Sequence, residues 1–117
     1  MERTVTMAYD EHLAERIDAL LEKLNPPKLV DKKMFGGIGF LVQGNMACGV
    51  LGQDLIVRVG KESYAEMIAM PETKPFNTTG RPMTGWVVVL DEFLQNEETL
   101  IAWIRKGVDF ALSLPPK

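Results

Sequence analysis

The chain has 117 residues, 46% of them hydrophobic and 25% charged, with a formal net charge of −3. That length allows one domain with a core of its own but not two, and the composition excludes a disordered or fibrous chain. The negative balance argues against a constitutive nucleic-acid binder, and no apolar run approaches the ~20 residues of a membrane span.

A single cysteine, Cys48, rules out an internal disulfide framework and points to a reducing compartment. The opening MERTVTMAYDEH has no apolar segment of the signal-peptide kind, so the expected location is the cytoplasm. Asn77-Thr78-Thr79 matches a glycosylation acceptor, which carries no meaning without secretion. Charge is uneven along the chain. Residues 28 to 61 carry Lys28, Lys32, Lys33, Arg58 and Lys61 against Asp31 and Asp54, whereas the acids dominate residues 1 to 27.

Residues 1–8 show no periodicity and form a lead-in; 9–117 read as a single domain. Asp10 is placed to cap a helix, because its carboxylate can accept from the free amides of a first turn. Leu13, Ile17, Leu20, Leu21 and Leu24 then recur at helical spacing. Asn25-Pro26-Pro27 stops that helix, since proline has no N–H and clashes with the preceding turn. From Lys33 to Val59 the pattern is an antiparallel meander of three strands. Gly44-Asn45 and Gly52-Gln53-Asp54 supply its turns. Gly36-Gly37 suggests a bulge or bend within the first of these strands.

In the third strand Leu55, Val57 and Val59 share one face, while Ile56 and Arg58 share the other. A short helix over 61–70 presents Tyr64, Met67 and Ile68. Pro71 to Pro82 is turn-rich, with Phe76 anchoring a short strand, and Thr84 to Leu90 is a strand rich in β-branched residues. The last helix begins near Asn96, where Glu97 and Glu98 favour the positive end of its dipole. Its buried stripe is Leu100, Trp103, Ile104, Val108, Ala111 and Leu112. Gly107 falls on that stripe at a cost of about 1 kcal/mol in helix propensity, which close approach to the sheet would explain.

The order is therefore α-β(3)-α-β(2)-α, a two-layer α+β domain with helices on one face of an antiparallel sheet. Three helices do not cover both faces. The other face carries Ile56, Arg58 and alternate members of Trp86-Val87-Val88-Val89, and an uncovered apolar face implies self-association or a partner.

Chemistry is sparse. His12 is the only histidine, and with one cysteine it cannot assemble a zinc site of the usual kind. Cys48 lies mid-strand among apolar residues and glycine, the setting of a small buried hydrophobe rather than a nucleophile. The glycines from Gly36 to Gly39 lead into a strand, not a helix, so they make no dinucleotide fingerprint; Gly60-Lys61 lacks the upstream glycine of a P-loop. No catalytic residue, cofactor or metal is expected. Arg58 and Arg81 remain. Arg58 either solvates a sheet face and pairs with an acid, or joins Trp86 in an arginine–aromatic patch of the kind that anchors interfaces.

Ala8-Tyr9-Asp10, Lys33-Met34-Phe35-Gly36-Gly37, Gly44-Asn45-Met46, Leu55-Ile56-Val57-Arg58-Val59, Gly80-Arg81-Pro82-Met83, Gly85-Trp86 and Ser113-Leu114-Pro115 together resemble the N-terminal domain of the TfoX/Sxy family. The resemblance covers the chain from about Met7. It implies the same α-β(3)-α-β(2)-α fold, no catalytic residues and no cofactor. Full-length members are regulators of bacterial competence genes that act on transcription together with the cyclic-AMP receptor protein. They carry a C-terminal helical domain that this sequence lacks, so an adaptor role follows for the N-terminal domain alone.

The expected function is a non-enzymatic, cytoplasmic regulatory or adaptor domain working by protein–protein contact, with Ile56, Arg58, Arg81 and Trp86 as contact residues. A homodimer or a heteromer should bury the open face. Direct nucleic-acid contact through the basic stretch is not expected. The competing reading is a small-ligand or enzymatic module in a groove near Arg58, Arg81 and Trp86.

Overall fold

A computed structural model describes residues 9–34, 36–77 and 80–117. The expected lead-in over 1–8, together with Phe35, Thr78 and Thr79, lies outside the described residues.

Asp10 caps the first helix, α1 (Glu11–Leu24), its Oδ1 accepting from the amides of His12 and Leu13 at 2.9 and 3.2 Å. The helix ends at Asn25, which turns left-handed (φ +50°) ahead of the two prolines. Four strands follow as consecutive hairpins: β1 (Leu29–Met34), β2 (Gly37–Val42), β3 (Asn45–Leu51) and β4 (Asp54–Arg58). Then come α2 (Lys61–Ile68), β5 (Thr73–Asn77), β6 (Pro82–Val89), a 3-10 turn over Asp91–Phe93, and α3 (Glu97–Ser113). Asn96 caps α3 by accepting from Glu98 and Thr99 at 2.8 and 3.2 Å.

The domain is α+β, an antiparallel sheet in the order β1-β2-β3-β4-β6-β5 with helices packed on one face. The helix–strand order is the expected one, with the meander extended by one edge strand, β1. Gly36-Gly37 is not a bulge inside a strand. Gly36, at φ +78°, lies in the turn that separates β1 from β2, and the register shift falls instead at Phe40/Leu41 against β3. The β2–β3 turn is made by Gln43 and Gly44, both at positive φ, as a two-residue hairpin requires.

The core lies between the helices and one sheet face. Leu55, Val57, Val59, Val87 and Val89 pack there against Leu13, Ile17, Leu21, Leu100, Trp103, Ile104 and Ala111. Leu112, expected on the buried stripe of α3, faces solvent; the stripe ends at Ala111. Tyr64, Met67 and Ile68 bring α2 against the same core. Among the described residues one polar residue is buried with it. Asn45 donates from Nδ2 to the carbonyl of Pro115 at 3.0 Å, and Lys117 N donates to the carbonyl of Gln43 at 2.8 Å, so the segment after α3 is held on the β2–β3 turn.

Gly107 is where α3 comes closest to the sheet. A Cβ there would be driven into the Ala47 carbonyl group and stand 3.3 Å from a Val57 methyl. Because the Ala47 obstacle is backbone, the helix itself would have to move. Gly107→Ala should therefore destabilise the domain despite its better helix propensity, by about 1–3 kcal/mol, and Gly107→Leu by more. Chemical denaturation measures this. An unchanged or raised midpoint for Gly107→Ala would contradict the close approach.

Candidate functional site

Alternation along the strands decides what the helix-free face presents. Ile56 and Val88 pair across β4 and β6, and Arg58 pairs with Trp86. Neither Ile56 nor Val88 belongs to the core under the helices, yet they are only 5% and 6% exposed. Val88 lines a hollow with Lys74, Pro75 and Phe76, and Ile56 a larger one. Met34, Met46, Met83, Phe76 and Trp86 stand around Ile56 and enclose a groove of about 500 Å³.

Glycines shape its floor. Gly37, Gly39 and Gly49 line or adjoin the groove on β2 and β3; a Cβ at Gly39 would meet the Met34 and Met46 methyls at 3.3 and 3.2 Å. At Gly49 it would lie 2.7 Å from the Ile38 carbonyl oxygen, a separation backbone does not allow. Bare backbone thus leaves a depression that the methionines border. Methionine is unbranched and polarisable, so its walls adapt to what lies between them.

At one end of the groove Trp86 is shared with a second recess of about 440 Å³, lined by Arg58, Gly60, Lys61, Ser63 and Phe110 among others. The Arg58 guanidinium carbon sits 5.3 Å from the ring centre of Trp86 and 5.3 Å from that of Phe110. Two ring faces hold the cation, an arrangement worth about 0.5–2 kcal/mol per contact according to its hydration. Among the described residues no carboxylate pairs with Arg58. Its placement depends on Gly60. That residue has φ +87°, and a Cβ on it would strike the Phe110 ring. No side chain caps the start of α2 at Gly60, and Glu62 in its first turn lines the recess with Arg58 and Lys61. The recess thus holds two basic residues and one acid.

The structure therefore brings together Ile56, Arg58 and Trp86. Arg81 stands apart, exposed in the β5–β6 connection two residues before Met83, and lines neither cavity. Phe110, Phe76 and the bordering methionines escaped the sequence reading. The Phe76–Trp86 ring pair, 6.1 Å between centres, had no signal beyond Phe76 lying in a strand.

The free thiol offers little chemistry. Cys48 is fully buried, and burial pushes its pKa from 9.0 up to about 12. At neutral pH it is a protonated, inaccessible thiol. No group of three or more His, Cys, Asp or Glu side chains among the described residues could hold a metal ion.

The model of the TfoX N-terminal domain matches residues 19–111, most of the chain. The chain belongs to the TfoX N-terminal domain family. Membership supports a regulatory domain of the competence type at family level, and the family is not a known enzyme family. No curated protein matches the chain. Among the described residues of this TfoX N-terminal domain, no helix is long and apolar enough to cross a membrane.

The thiol generates a pH test. Between pH 9 and about 12 the unfolded chain releases the Cys48 proton while the folded chain keeps it. Stability therefore falls as pH rises through this window, by about 1.4 kcal/mol per pH unit from this group alone. The advantage of wild type over Cys48→Ala should narrow at that rate above pH 9, followed by denaturation at pH 8, 9, 10 and 11. A constant gap would mean that the thiol is not buried.

Proposed function

We propose that this chain is a non-enzymatic regulatory domain that acts in the cytoplasm on competence-type transcription through protein–protein contact. The observation that carries this reading is the groove around Ile56. A small domain that leaves an apolar hollow on a sheet face gains by covering it, and the covering surface is another protein or a second copy of the chain. Ile56, Arg58 and Trp86 are the proposed contact residues, with Arg81 at the margin. Arginine and tryptophan are enriched among residues that dominate binding energy.

A second reading is favoured by the recess at Arg58. A cation held between two rings, with Lys61 and Glu62 at the same recess, suits a small polar ligand, and Trp86 would report its arrival by a change in fluorescence.

The decisive experiment is transcript profiling of a deletion strain complemented with wild type or with Met83→Glu. Met83 is 38% exposed at the groove, so the added carboxylate can stay in water and leave the fold intact. Deletion should change a defined set of transcripts, wild type should restore them and Met83→Glu should not. Full rescue by a folded Met83→Glu protein, or a deletion without transcriptional effect, contradicts the proposal.

A further inference from the structure

The sulfur atoms of this domain differ sharply in what can reach them. Cys48 has no exposed surface, and burial raises its pKa from 9.0 to about 12, so the thiolate that oxidants attack is absent at neutral pH. A thioether needs no such ionisation. Among the described residues, Met67 and Met70 pack against the core, and Met34 and Met46 are half-buried. The last two lie on the groove floor, where Met34 Cε and Met46 Sδ are 3.3 and 3.4 Å from the place a Cβ on Gly39 would take. Met83, at 38%, is the exposed methionine of the described residues, and it lines the same groove as Ile56 and Trp86. Oxidation of sulfur follows access. The thioether most open to it therefore borders the apolar hollow.

We propose that Met83 is an oxidation site of this domain, the thioether that hydrogen peroxide converts to its sulfoxide before any other sulfur of the described residues, and that the change turns the groove against apolar partners. The first half stands on exposure alone; the second rests on the reading of the groove as a contact surface. In the step, a sulfur lone pair attacks one peroxide oxygen. An S–O bond forms as the O–O bond breaks, the proton on the transferred oxygen passes to the departing hydroxide, and water leaves. Sulfur gives up two electrons and the peroxide takes them. The product is polar where methionine is apolar and pliant, and methionine-rich contact surfaces are disrupted by that exchange. Of the side chains lining this groove, only the Trp86 indole has a donor to offer the new oxygen. An apolar surface laid over the sulfoxide would bury a strong acceptor with little to satisfy it. The change is reversible, because methionine sulfoxide reductases remove the oxygen.

Peptide mass analysis of the full chain during treatment with hydrogen peroxide tests the first half. Met83 should gain one oxygen atom several-fold faster than Met34, Met46, Met67 or Met70. The rate should be the same at pH 6 and pH 8, with Cys48 unmodified while the chain is folded. At that stage the methyl resonances of Met34 and Met46 should shift, and methionine sulfoxide reductase should restore them. Met83→Leu under the same treatment should show no such shift. The second half is tested in the deletion strain with Met83→Gln, a neutral polar stand-in for the sulfoxide, which should fail to restore the transcripts that wild type restores.

Oxidation of another described sulfur as fast as Met83, a rate that follows pH between 6 and 8, or unmoved Met34 and Met46 methyls would overturn the oxidation site. Rescue by Met83→Gln where Met83→Glu fails would overturn the switch and leave the contact reading standing. Rescue by both variants would overturn the switch and the contact reading together.

Discussion

The depth at which α3 sits on the sheet governs the rest of this molecule. At Gly107 the helix has no side chain, and the Ala47 carbonyl fills the space where one would stand. That approach lets Trp103, Ile104 and Ala111 reach the valines of β4 and β6. It also fixes the last turns of the helix over the end of β4. Phe110 seats on Gly60, and the Arg58 guanidinium is caught between Phe110 and Trp86. The position of a residue on the open face is thus set by packing on the opposite one. A disturbance of α3 would reach the groove through a single aromatic ring.

Much of the architecture was legible because the core obeys simple periods. The stripe of α1, the cap at Asp10, the start of α3 near Asn96, and the division of Leu55-Val57-Val59 from Ile56-Arg58 follow from spacing and end-of-helix chemistry alone. β1 did not show itself. Asp31, Lys32 and Lys33 break any apolar alternation, since an edge strand bonded on one side keeps most of its surface in water. Its hydrogen bonds to β2 hold it in place, and no pattern of side chains records them. The turn residue Gly36 was seen, but without β1 it had nothing to separate from β2.

The candidate site was half visible for a related reason. Arg58 and Trp86 stand out as a charge and a large ring among β-branched neighbours, and the strand register makes them direct partners. The groove needed that register as well. Met34, Met46 and Met83 carry no periodic signal, and only the pairing of five strands, β1-β2-β3-β4-β6, places them around one hollow. Arg81 was singled out with Arg58 as an arginine just ahead of a strand, yet it stands exposed in the β5–β6 connection and lines neither cavity. Phe110 could have been found by following the phase of α3 one turn past Gly107.

The two ends of the sheet have a consequence for how other chains can reach it. β1 closes one edge with Asp31, Lys32 and Lys33, charges that resist the approach of a foreign strand. β5 closes the other, where Pro75 removes a donor from the ladder and Lys74 stands beside it. A sheet with an apolar face and free edges would tend to grow sideways into aggregates. Here charges at one margin and a proline at the other oppose lateral growth, so the strand edges are the less favourable route of approach to this sheet and its face the more favourable one.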